Sequence, residues 1–268
     1  MEQLTKKEIQ QIQLEILDTV DQFCADNNIT YYLTGGSMIG ALRHDGFIPW
    51  DDDIDIMMYR DEYEKFIEEF NKSQTKYHAF SIDRDSGYNS HFCKISDMST
   101  VLVENVKPHD IEIGVNIDLF PLDKLPPNVN EQKLLDKLHH LDLYYHCKSV
   151  KGASFKLRSF KQKIKIVLCK FLSFTKTRYK LSKAQSDIAK LYNCTETDEY
   201  SIITCHMRKR FPLINRTQTT VERHIFEGRF YNIPSSYDRY LTMQFGDYMT
   251  PPPLDKRASG HSFVAYKK

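Results

Sequence analysis

The chain has 268 residues, of which 41% are hydrophobic and 27% charged, with a formal net charge of +1. That balance excludes a disordered chain and leaves enough length for one large domain or two small ones. Six scattered cysteines (Cys24, Cys93, Cys147, Cys169, Cys194 and Cys205) form no Cys-x-x-Cys pair, which argues for reduced thiols and against a disulfide framework or a structural zinc site.

Thr5-x-x-Glu8 is a capping box, and Ile9, Ile12, Ile16, Val20 and Phe23 make an amphipathic first helix that Asn27 and Asn28 end. A strand over 29–33 runs into Gly35-Gly36. Glycines there let a backbone approach a phosphate, and the helix expected from Ser37 to about Arg43 offers free N–H groups to an anion. A loop through Gly46 and Pro49 leads to a strand over 53–57, where Asp53 and Asp55 alternate with Ile54 and Ile56. Both carboxylates then share one face, and two ionised carboxylates side by side repel unless a hard cation such as Mg²⁺ neutralises them. The rival frame is an EF-hand, with Asp51, Asp53, Asp55 and Glu62 at positions 1, 3, 5 and 12. That loop needs glycine where this chain has Ile56, so the strand is preferred. The parts together read as a phosphoryl- or nucleotidyl-transfer site.

Asp61 is placed as the cap of a helix carrying Tyr63, Phe66, Ile67 and Phe70. Segments 92–95 and 101–103 read as strands of a hairpin or meander. In 115–120, Val115, Ile117 and Leu119 alternate against Asn116, Asp118 and Phe120, which puts Asp118 on a strand opposite the apolar set. Helices are expected over most of 131–192. The tail carries a helix beginning near Ser235 or Ser236, which the prolines 251–253 should close.

The small net charge conceals a division. Residues 143–186 hold 12 lysines and arginines and no acid, so the remaining chain carries −11. Within that stretch Leu157, Phe160, Ile164, Val167, Leu168 and Phe171 recur at helical spacing beside Lys161, Lys163, Lys165 and Lys170. Such a helix either packs on the core with a solvated basic side or lies at an anionic membrane surface or polyanionic acceptor. A single basic helix without an aromatic reading surface is a poor nucleic-acid signature, and none is expected as a partner. With no apolar signal core and no stretch long enough to span a bilayer, a cytoplasmic protein is expected, with peripheral contact at the inner face of the membrane through 157–171 left open.

The run from Gly35-Gly36-Ser37 through Gly40-Ala41-Leu42-Arg43-His44-Asp45-Gly46-Phe47-Ile48-Pro49-Trp50-Asp51-Asp52-Asp53-Ile54-Asp55 resembles the signature of the LicD family. Ile117-Asp118-Leu119-Phe120-Pro121-Leu122-Asp123, Tyr237-Asp238-Arg239-Tyr240-Leu241 and Phe245-Gly246-Asp247-Tyr248-Met249 resemble its later blocks. The resemblance implies an α/β fold of the nucleotidyltransferase type, a mixed sheet flanked by helices with an additional helical region. It implies a catalytic core over 1–128 and a helical and C-terminal substrate-binding region over 129–268, in one globule or two.

It also implies an enzyme that transfers phosphocholine from CDP-choline to a hydroxyl of a lipid-linked cell-surface glycan such as teichoic acid. The fukutin group of relatives points instead to ribitol phosphate as the group transferred. A nucleotidyltransferase of antitoxin or antibiotic-modifying type and a non-catalytic nucleotide- or glycan-binding module stay open beside these. Some relatives carry a cysteine-based zinc element, and this chain has no cysteine cluster to match it. By the resemblance Asp53, Asp55 and Asp118 would be catalytic and would hold two Mg²⁺ ions, with Asp118 also the candidate general base. Gly35, Gly36, Ser37, Arg43 and Lys94 are the nucleotide- and phosphate-binding candidates. Trp50, Asp51, Asp52, Glu227 and Asp247 are substrate candidates, with Trp50 and Tyr59 offered to a trimethylammonium group.

Overall fold

The computed structural model of the chain describes residues 1–73, 75–104, 109–150, 155–156, 158–204, 211–257 and 263–268. Its centre is a seven-stranded mixed sheet with the path β2 (Tyr32–Leu33), β3 (Asp55–Tyr59), β7 (Asn116–Lys124), β5 (Cys93–Asp97) and β4 (Tyr77–Phe80). β3 and β7 run parallel, the other neighbours on this path antiparallel. Near the end of β7, β8 (Glu199–Ser201) and then β9 (Ile214–Asn215) extend the sheet.

Helix α1 (Lys6–Asp26) opens on the expected capping box, Glu8 accepting from the Thr5 N–H at 2.7 Å and Thr5 from the Glu8 N–H at 3.3 Å. Its buried stripe is Ile9, Gln13, Ile16, Leu17, Val20 and Cys24. Across the core, α3 (Arg60–Phe70) contributes Phe66 and Phe70, which meet Phe23 edge-on at 5.6 and 5.2 Å. Truncating a buried phenylalanine of this kind costs about 3–5 kcal/mol. Asp61 falls inside the first turn of α3, two residues past the N-cap Tyr59, and no side-chain cap is made there.

β6 (Thr100–Glu104) does not pair with β5 as expected; it pairs antiparallel with β12 (Phe263–Lys267), which also receives β1 (Glu2–Gln3). Local alternation marks a strand but does not name its partner, and the partner lies at the far end of the chain. Helix α7 (Tyr237–Phe245) starts where expected, but Gly246 (φ +74°) ends it before the prolines are reached.

The middle of the chain forms three helices, α4 (Glu131–Ser149), α5 (Phe160–Leu172) and α6 (Arg178–Lys190). Leu125, Leu134, Leu135, Leu138, Ile188 and Ala189 join α4 and α6 into a second apolar cluster next to the end of β7. α5 is attached by a smaller one, Cys147, Ile166 and Cys169. Leu157 and Cys205 lie outside the described residues. At the junction of sheet and helices, Asp123 is fully buried and accepts from Arg60 Nε at 2.8 Å, Arg60 Nη2 at 2.7 Å and Asn193 Nδ2 at 2.6 Å.

Candidate active site

The site is assembled where α2 (Gly35–His44) meets the start of β3. The helix opens at Gly35, two residues before Ser37, on Thr34 as N-cap. Both backbone groups of Asp55 are tied to this turn: its carbonyl accepts from the Thr34 N–H at 3.0 Å and its N–H donates to Ser37 Oγ at 2.9 Å. The glycines make the approach possible. Gly35 sits at φ +55°, where a side chain is strained, and a Cβ there would stand 3.2 Å from Asp55 Oδ2. A Cβ on Gly36 would fall 2.1 Å from Asp51 Oδ2. The anions beside the positive end of α2 are therefore the chain's own carboxylates, an arrangement favoured by the helix dipole.

β3 begins at Asp55, so Asp53 lies in the preceding loop rather than on the strand expected from the alternation. The parallel register sets Asp55 beside Asp118, and the antiparallel register of β5 sets Lys94 on the other side of Asp118. Lys94 Nζ donates to Asp118 Oδ1 at 2.6 Å and to Asn116 Oδ1 at 3.0 Å. Burial works against the ammonium, but Asp118, with Glu104 and Asp53 further off, carries its pKa above the ordinary lysine value. Asp51, Asp52 and Asp53 bring carboxylate oxygens within 4.8 Å of one another. Asp51, Asp52 and Asp53 thus form one close group in the loop before β3, while Asp55 and Asp118 are paired in the β3–β7 register. Among the described residues the expected trio Asp53, Asp55 and Asp118 is not itself such a close group.

A set made only of carboxylate oxygens, still open to water, suits a hard divalent cation such as Mg²⁺ and offers nothing to a thiophilic metal. Gln13 fixes the loop from below: its Nε2 donates to the Asp52 carbonyl at 3.1 Å and to the Asn116 carbonyl at 3.3 Å. Sequence reasoning passed over Gln13, although a polar residue on the buried stripe of an amphipathic helix is a signal of such a role.

Arg43 stands at the far end of α2 from Gly35, donating to His44 Nε2 at 3.0 Å and to the Tyr248 carbonyl. Burial, and then the nearby Arg257, lower its pKa. The Arg257 guanidinium lies 4.9 Å from the centre of the Trp50 ring, and Arg216 lies 4.4 Å from that of the buried Tyr59. The two rings considered for a trimethylammonium group each hold an arginine. Arg257 was not a sequence candidate; only its position over Trp50 brings it forward.

Glu227 locks the backbone. It sits at the tip of the hairpin between β10 (Val221–Phe226) and β11 (Arg229–Pro234), and its Oε1 accepts from the Phe47 N–H at 3.0 Å. Its own N–H donates to the Asp45 carbonyl at 2.8 Å, so it steadies the loop that leads to the aspartates. Exposed Asp247 is held by Thr250, whose side chain and then its N–H (3.1 Å) lower the Asp247 pKa and close a turn. Beside Lys94 a cavity of about 280 Å³ opens among Val101, Val103, His109, Ile111 and Asn116. His109 stacks on Tyr88 (4.4 Å, 3°) and its Nδ1 accepts from the Asn89 N–H at 3.0 Å.

Residues 28–106, which include the glycine turn, the aspartate loop and Lys94, match the LicD/FKTN/FKRP nucleotidyltransferase domain. Over this segment the chain is similar to the LicD family. It is 29% identical over 274 residues to the lipopolysaccharide cholinephosphotransferase LicD of Haemophilus influenzae, an alignment that covers 99% of each chain. An uncharacterized protein of Rickettsia prowazekii is 30% identical over 111 residues, 40% of this chain and 39% of that one. One from Rickettsia typhi is 41% identical over 49 residues, 18% and 16% of the two chains. Asp118 and Asn116 lie beyond the matched domain segment, yet the sheet register delivers them to it.

Proposed function

We propose that this chain is a metal-dependent transferase that moves phosphocholine from CDP-choline to a hydroxyl of a cell-surface glycan precursor, releasing CMP. The observation that carries the reading is the close group of Asp51, Asp52 and Asp53 and the register pair of Asp55 and Asp118 beside a glycine turn, with Lys94 alongside, in a chain alignable end to end with a lipopolysaccharide cholinephosphotransferase. The aspartates would hold Mg²⁺, two ions in the fullest form of the site. Bound there, Mg²⁺ would neutralise the donor's diphosphate and lower the pKa of the acceptor hydroxyl.

The chain's own part is positional. Ser37 and Thr34 hold Asp55 in place, Gln13 holds the aspartate loop against β7, and Lys94 balances Asp118 while facing the adjoining cavity. In the transfer, the bond from the choline-bearing phosphorus to the bridging oxygen breaks and CMP leaves with its electron pair. The acceptor oxygen bonds to that phosphorus, and its proton passes to the carboxylate cluster. Phosphoryl transfer needs little covalent help, so positioning and charge stabilisation supply most of the rate. The acceptor is read as a teichoic-acid or lipopolysaccharide-type glycan carried on lipid, with the protein a peripheral enzyme at the inner face of the membrane.

A second reading is favoured by the arginines that already cover the Trp50 and Tyr59 rings considered for choline: an alditol phosphate such as ribitol phosphate would be the group transferred. Incubation with CDP-choline, CDP-ribitol or ATP, each with Mg²⁺ and a glycan precursor, separates these. CMP release with CDP-choline is expected. Release only with CDP-ribitol changes the group transferred, and pyrophosphate release from ATP overturns the reading in favour of nucleotidyl transfer.

A further inference from the structure

Helix α5 is turned the opposite way from a core helix. It contacts the protein through Ile166 and Cys169, while Phe160, Ile164, Val167, Leu168, Phe171 and Leu172 are all exposed, Phe160 at 77% and Phe171 at 73%. Phe174, just past its end, is 76% exposed. At 3.6 residues per turn Phe160, Ile164, Val167, Leu168 and Phe171 fill one unbroken arc of about 100°, with Leu172 just past Lys161 at its edge, on a helix about 20 Å long. Lys161 and Lys165 stand at one border of the arc and Lys163 and Lys170 at the other. Lys170 is engaged with the protein, donating to the Val150 carbonyl at 2.6 Å, whereas Lys161, Lys165 and, beyond the helix, Lys176 are exposed. Among the described residues no helix is long and apolar enough to cross a membrane.

We propose that α5 is an interfacial anchor that lies in the headgroup layer of an anionic membrane, its phenylalanine and leucine side chains entering the acyl boundary. Three features select this occupant. An apolar arc bordered by lysines on both sides fits the interface, because the stems can lie along the apolar layer while the ammonium groups reach the phosphates. A nucleic acid would satisfy the lysines but leave the phenylalanines in water. A second copy of the chain would bury the arc, but it would bring together two segments that hold 12 cations each and no acid between residues 143 and 186. The anchor deepens the membrane-side reading of the acceptor and is independent of the transfer chemistry, since it requires neither donor nor metal.

Cosedimentation of the full-length protein with phosphatidylcholine vesicles, with and without phosphatidylglycerol, tests it in the absence of any substrate. Binding is expected only when the anionic lipid is present, and it should weaken as salt is raised. Replacing Lys161, Lys165 and Lys176 together with glutamine should lower the partition coefficient about a hundredfold, near fivefold for each charge. Leu168→Ser with Phe171→Ser should lower it at least about tenfold and leave the melting temperature unchanged, because those side chains already face water. Vesicle binding that survives both sets of substitutions overturns the proposal. So does a wild-type dimer in sedimentation velocity that Phe171→Ser dissociates, which would give the face to a second copy.

Discussion

Gly36→Ala is the sharpest perturbation the site offers. The added methyl would fall 2.1 Å from Asp51 Oδ2, where ordinary contact begins near 3.4 Å, so the carboxylate must retreat by roughly 1 Å or more. Gly36, unlike Gly35, does not have a positive φ, so its backbone accepts alanine without strain. The half-exposed Asp51 can change rotamer at about 0.5–1.5 kcal/mol, and the helix gains up to about 1 kcal/mol from losing a glycine. Stability should therefore move by less than about 1 kcal/mol. Displacing a site group by ~1 Å costs on the order of a hundredfold in rate, about 2.7 kcal/mol of transition-state stabilisation. The assay is kcat/KM from CMP release across a Mg²⁺ titration, with thermal unfolding of the metal-free protein alongside. Activity within about threefold of wild type at an unchanged Tm would remove Asp51 from the site. Gly35→Ala, at φ +55°, should instead lower both activity and stability, the latter by about 1–2 kcal/mol.

Lys94→Met should reduce turnover at least about tenfold while lowering the Mg²⁺ concentration needed for half-saturation, because a competing cation leaves Asp118; unchanged metal dependence would contradict this. Asp123→Ala strands the Arg60 guanidinium without its buried partner and should cost about 3–5 kcal/mol in urea unfolding, and a loss under about 1 kcal/mol would show that water replaces the pair. Burial, then Lys94 and Arg178, hold the His109 pKa down to about 3. Between that value and the unfolded pKa of about 6.5 the unfolded chain binds the extra proton, so this contribution is complete above about pH 6.5 and is lost as pH falls towards 3, at up to about 1.4 kcal/mol per pH unit. Unfolding at stepwise lower pH should show a shallower decline for His109→Gln than for wild type, and equal slopes would refute it.

The sequence carried the local chemistry of the site further than its assembly. The glycine turn, the aspartate run and Asp118 were legible because each depends on neighbours in the chain: Gly35 and Gly36 on the turn, Asp118 on the alternation of Val115, Ile117 and Leu119. What a residue faces across the fold was not legible. Asp53 was read onto a strand by its alternation with Ile54, yet β3 begins only at Asp55, where its pairing with β7 is registered. β6 was given a nearby partner and found β12 instead. The amphipathic face of α5 was visible as a period, but a period does not say whether the apolar side meets the core or the solvent. Glu227 and Asp247, polar residues in conspicuous motifs, are committed to backbone N–H groups, and side-chain caps of loops leave no signature that separates them from substrate ligands.

Whether the aspartate cluster works through a bound divalent metal to transfer phosphocholine is decided by CMP release and choline labelling of a glycan precursor from CDP-choline. Wild type, Asp53→Asn and Asp55→Asn are compared with Mg²⁺ and with excess chelator. Stoichiometric CMP and labelled glycan are expected for wild type with Mg²⁺ only. Both variants should stay folded and fall below about a tenth of wild-type activity, a loss exceeding ~1.4 kcal/mol of transition-state stabilisation. Transfer that persists in chelator, or in both variants, would contradict a metal-dependent mechanism at these aspartates.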